Sequence, residues 1–187
     1  MMSLPPELQS ALLGRRVVFL RGRLDEATAN NVIAQLVLVA ATSAGQTIRL
    51  YIDSPGGSVG AALSVYDVIQ TSAAPVSTIC MGTCGGAPVL VLAGGKSGQR
   101  FALPHARIHL VQDSLEFLAG HATEASTQAV EAVRQQQRWQ SATAQHMTPS
   151  AAQLARDLSS GTWLSAAEAR DYGLVDCIIP GVPATRE

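Results

Sequence analysis

Charge is scarce in this chain. Charged residues make up 14% of its 187 positions against 47% hydrophobic, and Lys96 is the only lysine. A surface with so little charge is expected to be covered in part by something other than water, most simply by sister subunits. The formal net charge of −1 gives neither the basic footprint of a nucleic-acid binder nor attraction to an anionic membrane. Cysteine is sparse too. Cys80, Cys84 and Cys177 are odd in number and form no Cys-x-x-Cys, which argues against a disulfide framework or a zinc site. Reduced thiols in a cytoplasmic setting fit best. No His, Asp or Glu cluster has metal-ligand spacing, so no metal is predicted, and no cofactor is expected. No apolar run reaches transmembrane length. Met1-Met-Ser-Leu-Pro-Pro lacks the charged and apolar regions of a signal peptide.

What the chain does have is glycine in two telling places. Asp53-Ser-Pro-Gly-Gly-Ser58 follows Ile48-Arg-Leu-Tyr-Ile52, which alternates like a strand. Gly82-Thr-Cys-Gly-Gly86 follows the β-rich run Val76 to Cys80. A helix-like run comes after each. Glycines at that junction let the backbone approach a ligand and aim the helix's first N–H groups at it. Two such turns side by side can hold a developing oxyanion; two ordinary strand-to-helix loops would look the same in sequence.

The rest of the pattern is α/β. Strands are predicted at Val17–Leu20, Ile48–Ile52, Val76–Cys80, Arg100–Leu103, Arg107–Val111 and Val175–Ile179. Between them run helices from Glu26 to about Ala41 with Asp25 as N-cap, from Val59 to about Thr71, and from Pro88 to Gly94-Gly95. Ala29, Val32, Ile33, Leu36, Val37 and Ala40 follow helical spacing and are expected to pack on the sheet. A long, weakly charged helix covers Ala122 to about Gln145, with Thr123 as its cap. A short helix starts at Thr148-Pro149. Ser165-Ala-Ala-Glu168 is a capping box for a helix ending at Tyr172-Gly173. The order βαβαβαββ argues for a largely parallel sheet. One domain is read at residues 15–180, after a short segment 1–14 containing the Pro5-Pro6 break and before a tail at 181–187.

Five stretches carry a resemblance: Tyr51-Ile-Asp-Ser-Pro-Gly-Gly57, Val76-Ser-Thr-Ile-Cys-Met-Gly82, Arg100-Phe-Ala-Leu-Pro104, Trp163-Leu-Ser-Ala-Ala-Glu168 and Tyr172-Gly-Leu-Val-Asp176. In order and spacing they resemble the proteolytic subunit of the Clp protease, ClpP, from about Leu13 to Pro180. The resemblance implies a ClpP/crotonase-like α/β fold, with parallel sheets flanked by helices and a protruding helical handle at about 112–147. It implies heptameric rings, stacked in pairs into a tetradecamer through that handle, and homo- or hetero-oligomers with ClpP-like paralogues. It implies a Ser-His-Asp triad acting on unfolded polypeptide delivered by an AAA+ Clp ATPase.

At the triad the sequence departs from the family. Gly86 stands at the nucleophile position, Val111 at the histidine position and Gly161 at the aspartate position. None of these side chains can attack, take a proton or orient a base. Gly57 and Ala87 match the residues whose amides form the oxyanion hole. The combination resembles the inactive ClpR-type subunits, so a structural or regulatory ring subunit, a pseudoprotease, is expected. Two further departures are the short segment before Arg15, where the family carries axial loops that meet the ATPase, and the bulky stretch Asp113 to Gly120, which implies altered or partner-selective ring stacking.

Other residues could carry chemistry. Cys84 lies two before Gly86 and His109 two before Val111. A shift of two keeps a strand residue on the same face, so a displaced Cys84/His109 pair, with Asp113 orienting the imidazole, is an alternative. Ser58 reads as a helix N-cap. His105, His121 and His146 read as surface residues, and Trp139 and Trp163 as packing residues. A crotonase-like acyl-thioester enzyme is a further alternative, with no evident segment to hold coenzyme A.

Overall fold

The computed structural model describes residues 5–43, 45–112 and 122–180, with side chains of the long helix described after residue 127. The Pro5-Pro6 break turns out to start a helix, α1 (Pro6–Gly14), because proline at the first helical position gives up only an N–H with no intrahelical partner. Then come β1 (Val17–Arg21), α2 (Glu26–Thr42), β2 (Ile48–Ser54), α3 (Val59–Thr71), β3 (Val76–Gly85), α4 (Pro88–Ala93), β4 (Arg100–Ala102) and β5 (Arg107–Leu110). The C-terminal part holds α5 (Ala122–Ala144), α6 (Ala151–Ser160), β6 (Thr162–Ser165), α7 (Ala166–Asp171) and β7 (Cys177–Ile178). Asp113 to Gly120 and His121, on which part of the handle reading rests, lie outside the described residues.

The main sheet runs β1-β2-β3-β4-β7, all parallel, as the βαβ order requires. β3 is longer than its sequence signal because it serves two neighbours. Thr78 to Cys80 pair with β4, while Thr83 to Gly85 pair with β5. β5 in turn takes β6 as an antiparallel partner. β6 has only four residues, the last of which also caps α7, so it carries no separate strand signal in sequence.

Helices are capped as their sequences dictate. Asp25 accepts from the Thr28 N–H at 2.8 Å, Ser58 from Ala61, and Ser165 with Glu168 forms the full capping box. Thr123, expected as a cap, falls inside α5 rather than before it. The carbonyls that end α2 and follow it are met by Arg16, a non-glycine residue at φ 60°. Its guanidinium donates to Val39 O, Thr42 Oγ1, Ser43 O and Gln46 O at 2.8–3.1 Å. Ala29, Val32, Leu36 and Val39 bury the inner face of α2. Val37, expected inside, is 56% exposed, and Leu38 is 58% exposed: the core takes the narrower i, i+3, i+7 stripe and leaves a second apolar face outward.

α4 is buried at all six positions. The C-terminal part is tied on by Arg100. Its guanidinium donates to both carboxylate oxygens of Asp176, at 3.0 and 2.5 Å, and to the carbonyls of His146 and Gly173, both at 2.9 Å. His146, read from sequence as a surface residue, is instead half-buried, with Nε2 2.9 Å from the Tyr66 hydroxyl. Burial, then the Arg100 charge, holds its imidazole below the usual histidine value.

Candidate functional site

The two glycine turns meet. A Cβ built on Gly85 would lie 2.6 Å from the Pro55 carbonyl oxygen and 3.4 Å from His109 Cβ, so no side chain fits between them. One turn upstream, a Cβ on Gly82 would lie 2.9 Å from Asp53 Cγ. The Asp53 carboxylate accepts from the Thr83 N–H at 3.0 Å. The glycines are thus close-approach positions first, which also explains them without a ligand. Gly57 makes a separate close approach: it bridges to Leu24, and a Cβ there would run into the Leu24 carbonyl.

After β3 the chain turns sharply. Gly86 takes the left-handed φ of 55° and donates its N–H to the His109 carbonyl at 3.0 Å. Ala87 is the N-cap of α4, with Pro88 at the first helical position. The Ala87 carbonyl accepts from the indole N–H of Trp139 at 3.0 Å, and Trp139 is 1% exposed. That bond anchors the turn to the long helix, and no linear signal announces it. A Trp139→Phe variant keeps most of the packing and loses the bond. Its urea midpoint is expected to fall by the equivalent of about 1–3 kcal/mol.

The three positions that the resemblance assigns to a triad lie near this edge. Gly86 bonds to His109, Val111 follows two residues on, half-buried just past the end of β5, and Gly161 sits beside them. A Cβ on Gly161 would lie 3.5 Å from His109 Nε2. Gly161 is the left-handed C-cap of α6, φ 66°, where glycine is the favoured residue. Their proximity comes from the antiparallel register of β5 on β6, Leu110 opposite Thr162.

The displaced pair is not brought together. Cys84 lies opposite Ile108, and Gly85 opposite His109, so Cys84 and His109 project to opposite faces of the sheet. The two-residue shift fails because Gly86 is no longer a strand residue. Cys84 is fully buried. The side-chain hydrogen bond with Cys80, then burial, pushes its thiol well above the ordinary value, which keeps it protonated. His109 stacks on Trp163, ring centroids 4.1 Å apart and planes 7° from parallel. Trp163 is 46% exposed and has the Arg107 guanidinium over its ring at 5.9 Å. These are cross-strand pairs of β5 and β6. Asp113 lies outside the described residues. Among the described residues, no three His, Cys, Asp or Glu side chains converge as a metal site would need.

The class this defines is an α/β protein whose candidate site lies at the carboxyl ends of parallel strands, where such sheets bind ligands. The chain belongs to the Clp protease family: the family's model, Clp protease, matches residues 6–181. It is similar to ATP-dependent Clp protease proteolytic subunit 1 of Rhodopirellula baltica, with 37% identity over 181 residues, covering 96% of this chain and 79% of that one. It is similar also to a putative ATP-dependent Clp protease proteolytic subunit-like protein of Streptomyces coelicolor, 41% identical over 173 residues, covering 92% and 82% of the two chains. The chain is thus a ClpP-like proteolytic-subunit homologue. Among the described residues, no helix is long and apolar enough to cross a membrane.

Proposed function

We propose that this chain is a catalytically silent ring subunit of a Clp protease, a pseudoprotease of the ClpR type. One feature carries the reading: at the positions that the resemblance assigns to the triad, Gly86 and Gly161 offer no side chain and Val111 offers a hydrocarbon. A peptide carbonyl reaching the Gly57 and Ala87 turns would meet no nucleophile and no base. Binding without a triad gives little turnover, roughly 10⁴-fold or more below an intact site.

The scaffold around the site fits a subunit that assembles. Leu8 on α1, Val37 and Leu38 on α2, and Val130 and Val133 on α5 are exposed apolar side chains, and subunit contacts of a heptameric ring, stacked through the arm around α5, would cover them. The partners proposed are ClpP-like paralogues, a cytoplasmic AAA+ Clp ATPase, and the unfolded polypeptide passing through the ring. By occupying a place in the ring, the chain would lower the number of active sites or change substrate preference.

The test is hydrolysis of a fluorogenic peptide by the purified protein, alone and mixed with an active ClpP paralogue, with the assembly mass measured in parallel. Silence alone, with co-assembly and altered activity in the mixture, is the expected result. Robust cleavage by the pure protein would overturn the silent reading; failure to join any paralogue would overturn the mixed ring.

A further inference from the structure

β3 holds two cysteines that the proposed function leaves unused, and the strand is built to bring them together. Along β2 and β3 the register reads Ile52 opposite Cys80, then Ser54 opposite Cys84. Two steps on β2 are matched by four on β3, so Met81, Gly82 and Thr83 have no partner on β2, although Thr83 pairs with Arg107 of β5 on the other side. Strand residues two apart are separated by about 6.6 Å, which is the spacing expected of Ile52 and Ser54, the β2 partners of Cys80 and Cys84. It lies at the wide end of the Cα range a disulfide spans, about 4.4–6.8 Å. Ile52 and Ser54 share a face, so their partners do too. The two thiols are within hydrogen-bonding reach of each other, and Cys80 Sγ also lies 3.8 Å from the Gly82 carbonyl oxygen. Both cysteines are fully buried and free, whereas Met81, Gly82 and Thr83 between them are partly exposed. This stretch is the partly exposed part of the strand next to the sulfurs.

We propose that Cys80 and Cys84 form a dithiol redox pair that a peroxide closes into a disulfide, fixing the bulge that leads into the Gly85-Gly86 turn. The chemistry balances with hydrogen peroxide as oxidant. One sulfur, as thiolate, attacks a peroxide oxygen and breaks the O–O bond, giving a sulfenic acid and, after protonation of the departing hydroxide, one water. The neighbouring thiol displaces hydroxide from that sulfenic sulfur to form the S–S bond, and its own proton makes the second water. The two cysteines lose two electrons and peroxide gains them.

The sequence makes the test clean. No Lys or Arg lies between Arg49 and Lys96, so one tryptic peptide, Leu50 to Lys96, carries both cysteines, and Cys177 falls elsewhere. The intact protein, with Cys177→Ser to remove the exposed thiol, is treated with hydrogen peroxide, then denatured, alkylated and digested. The expected result is a Leu50–Lys96 peptide lighter by two hydrogens and refusing alkylation, restored by dithiothreitol, and absent from a Cys84→Ala variant that still folds. Hydrogen exchange over Met81 to Ala87 is expected to slow on oxidation. Two alkylated cysteines after a peroxide dose that oxidises free cysteine in the same tube would overturn the proposal. So would an irreversible sulfinic acid at either residue without the disulfide.

Discussion

A variant carrying Gly86→Ser, Val111→His and Gly161→Asp together is expected to hydrolyse a fluorogenic peptide roughly 10³-fold or more faster than the parent chain, within the same assembly state. The single Gly86→Ser change is expected to give almost nothing, because a serine without its base is a weak nucleophile. The contrast between single and triple is the point of the experiment. Triad members act as a unit, so their effects do not add. The geometry favours the restoration at position 161, where the new side chain starts 3.5 Å from His109 Nε2, beside the strand end that would carry the new histidine. It opposes the restoration in stability. Positions 86 and 161 have φ of 55° and 66°, and a side chain there costs about 1–2 kcal/mol each, somewhat less for Asp. A thermal melt run beside the assay separates the outcomes. A folded, assembled and silent triple variant would mean that more than side chains has been lost from the site.

Arg100→Met is expected to lower the free energy of unfolding by about 3–5 kcal/mol, the range for removing one partner of a buried ion pair. The pair is partly buried, with the Arg100 and Asp176 side chains 11% and 18% exposed, so the lower end of that range applies. The variant leaves Asp176 without its counter-ion and frees the carbonyls of His146 and Gly173. The loss should carry a pH signature. Burial alone would raise the Asp176 carboxyl, but the Arg100 hydrogen bonds outweigh it and hold it below the ordinary value. A depressed folded value means the unfolded chain takes the proton more readily. The contribution is therefore whole above the unfolded value of about 3.9 and fades as pH falls through the folded one. Chemical denaturation of parent and variant at neutral pH and near pH 3 measures this. The gap between them is expected to narrow in acid, and a gap unchanged by pH would remove the ion pair as the cause.

Much of the fold was legible because each signal was local. Asp25, Ser58 and Ser165 mark helix starts within a few residues of the bonds they make, and the alternation at Ile48 to Ile52 names a strand from one window. What sequence reading missed was non-local. β3 reaches Gly85 only because β5 is there to pair with it, and β6 exists only as a partner for β5. α1 looks like a break in sequence because proline forbids a helix interior but suits a first turn. Val37 looks like a core residue because a wide apolar stripe does not say which edge the core will use.

The candidate site divides the same way. Gly86, Val111 and Gly161, which the resemblance assigns to the triad, lie near one edge of the sheet. The Cys84/His109 alternative depended on which face each residue takes, and that is fixed by register and by where β3 stops. The Trp139 bond to Ala87 and the stack of His109 on Trp163 join residues far apart in sequence, with nothing in the intervening chain to announce them.

The left-handed turns at Gly86 and Gly161 also bear on how a silent subunit keeps its silence. On the proposed reading, an ancestor holding Ser and Asp at those positions carried strain that only useful chemistry would justify retaining. Once selection for chemistry relaxed, glycine at either position would relieve that strain and stabilise the chain. Each loss would then be favoured for folding, and each reversal would be uphill, with no activity regained until all three side chains returned. The backbone would act as a ratchet, holding such a subunit in its silent state by the ordinary advantage of glycine at positive φ.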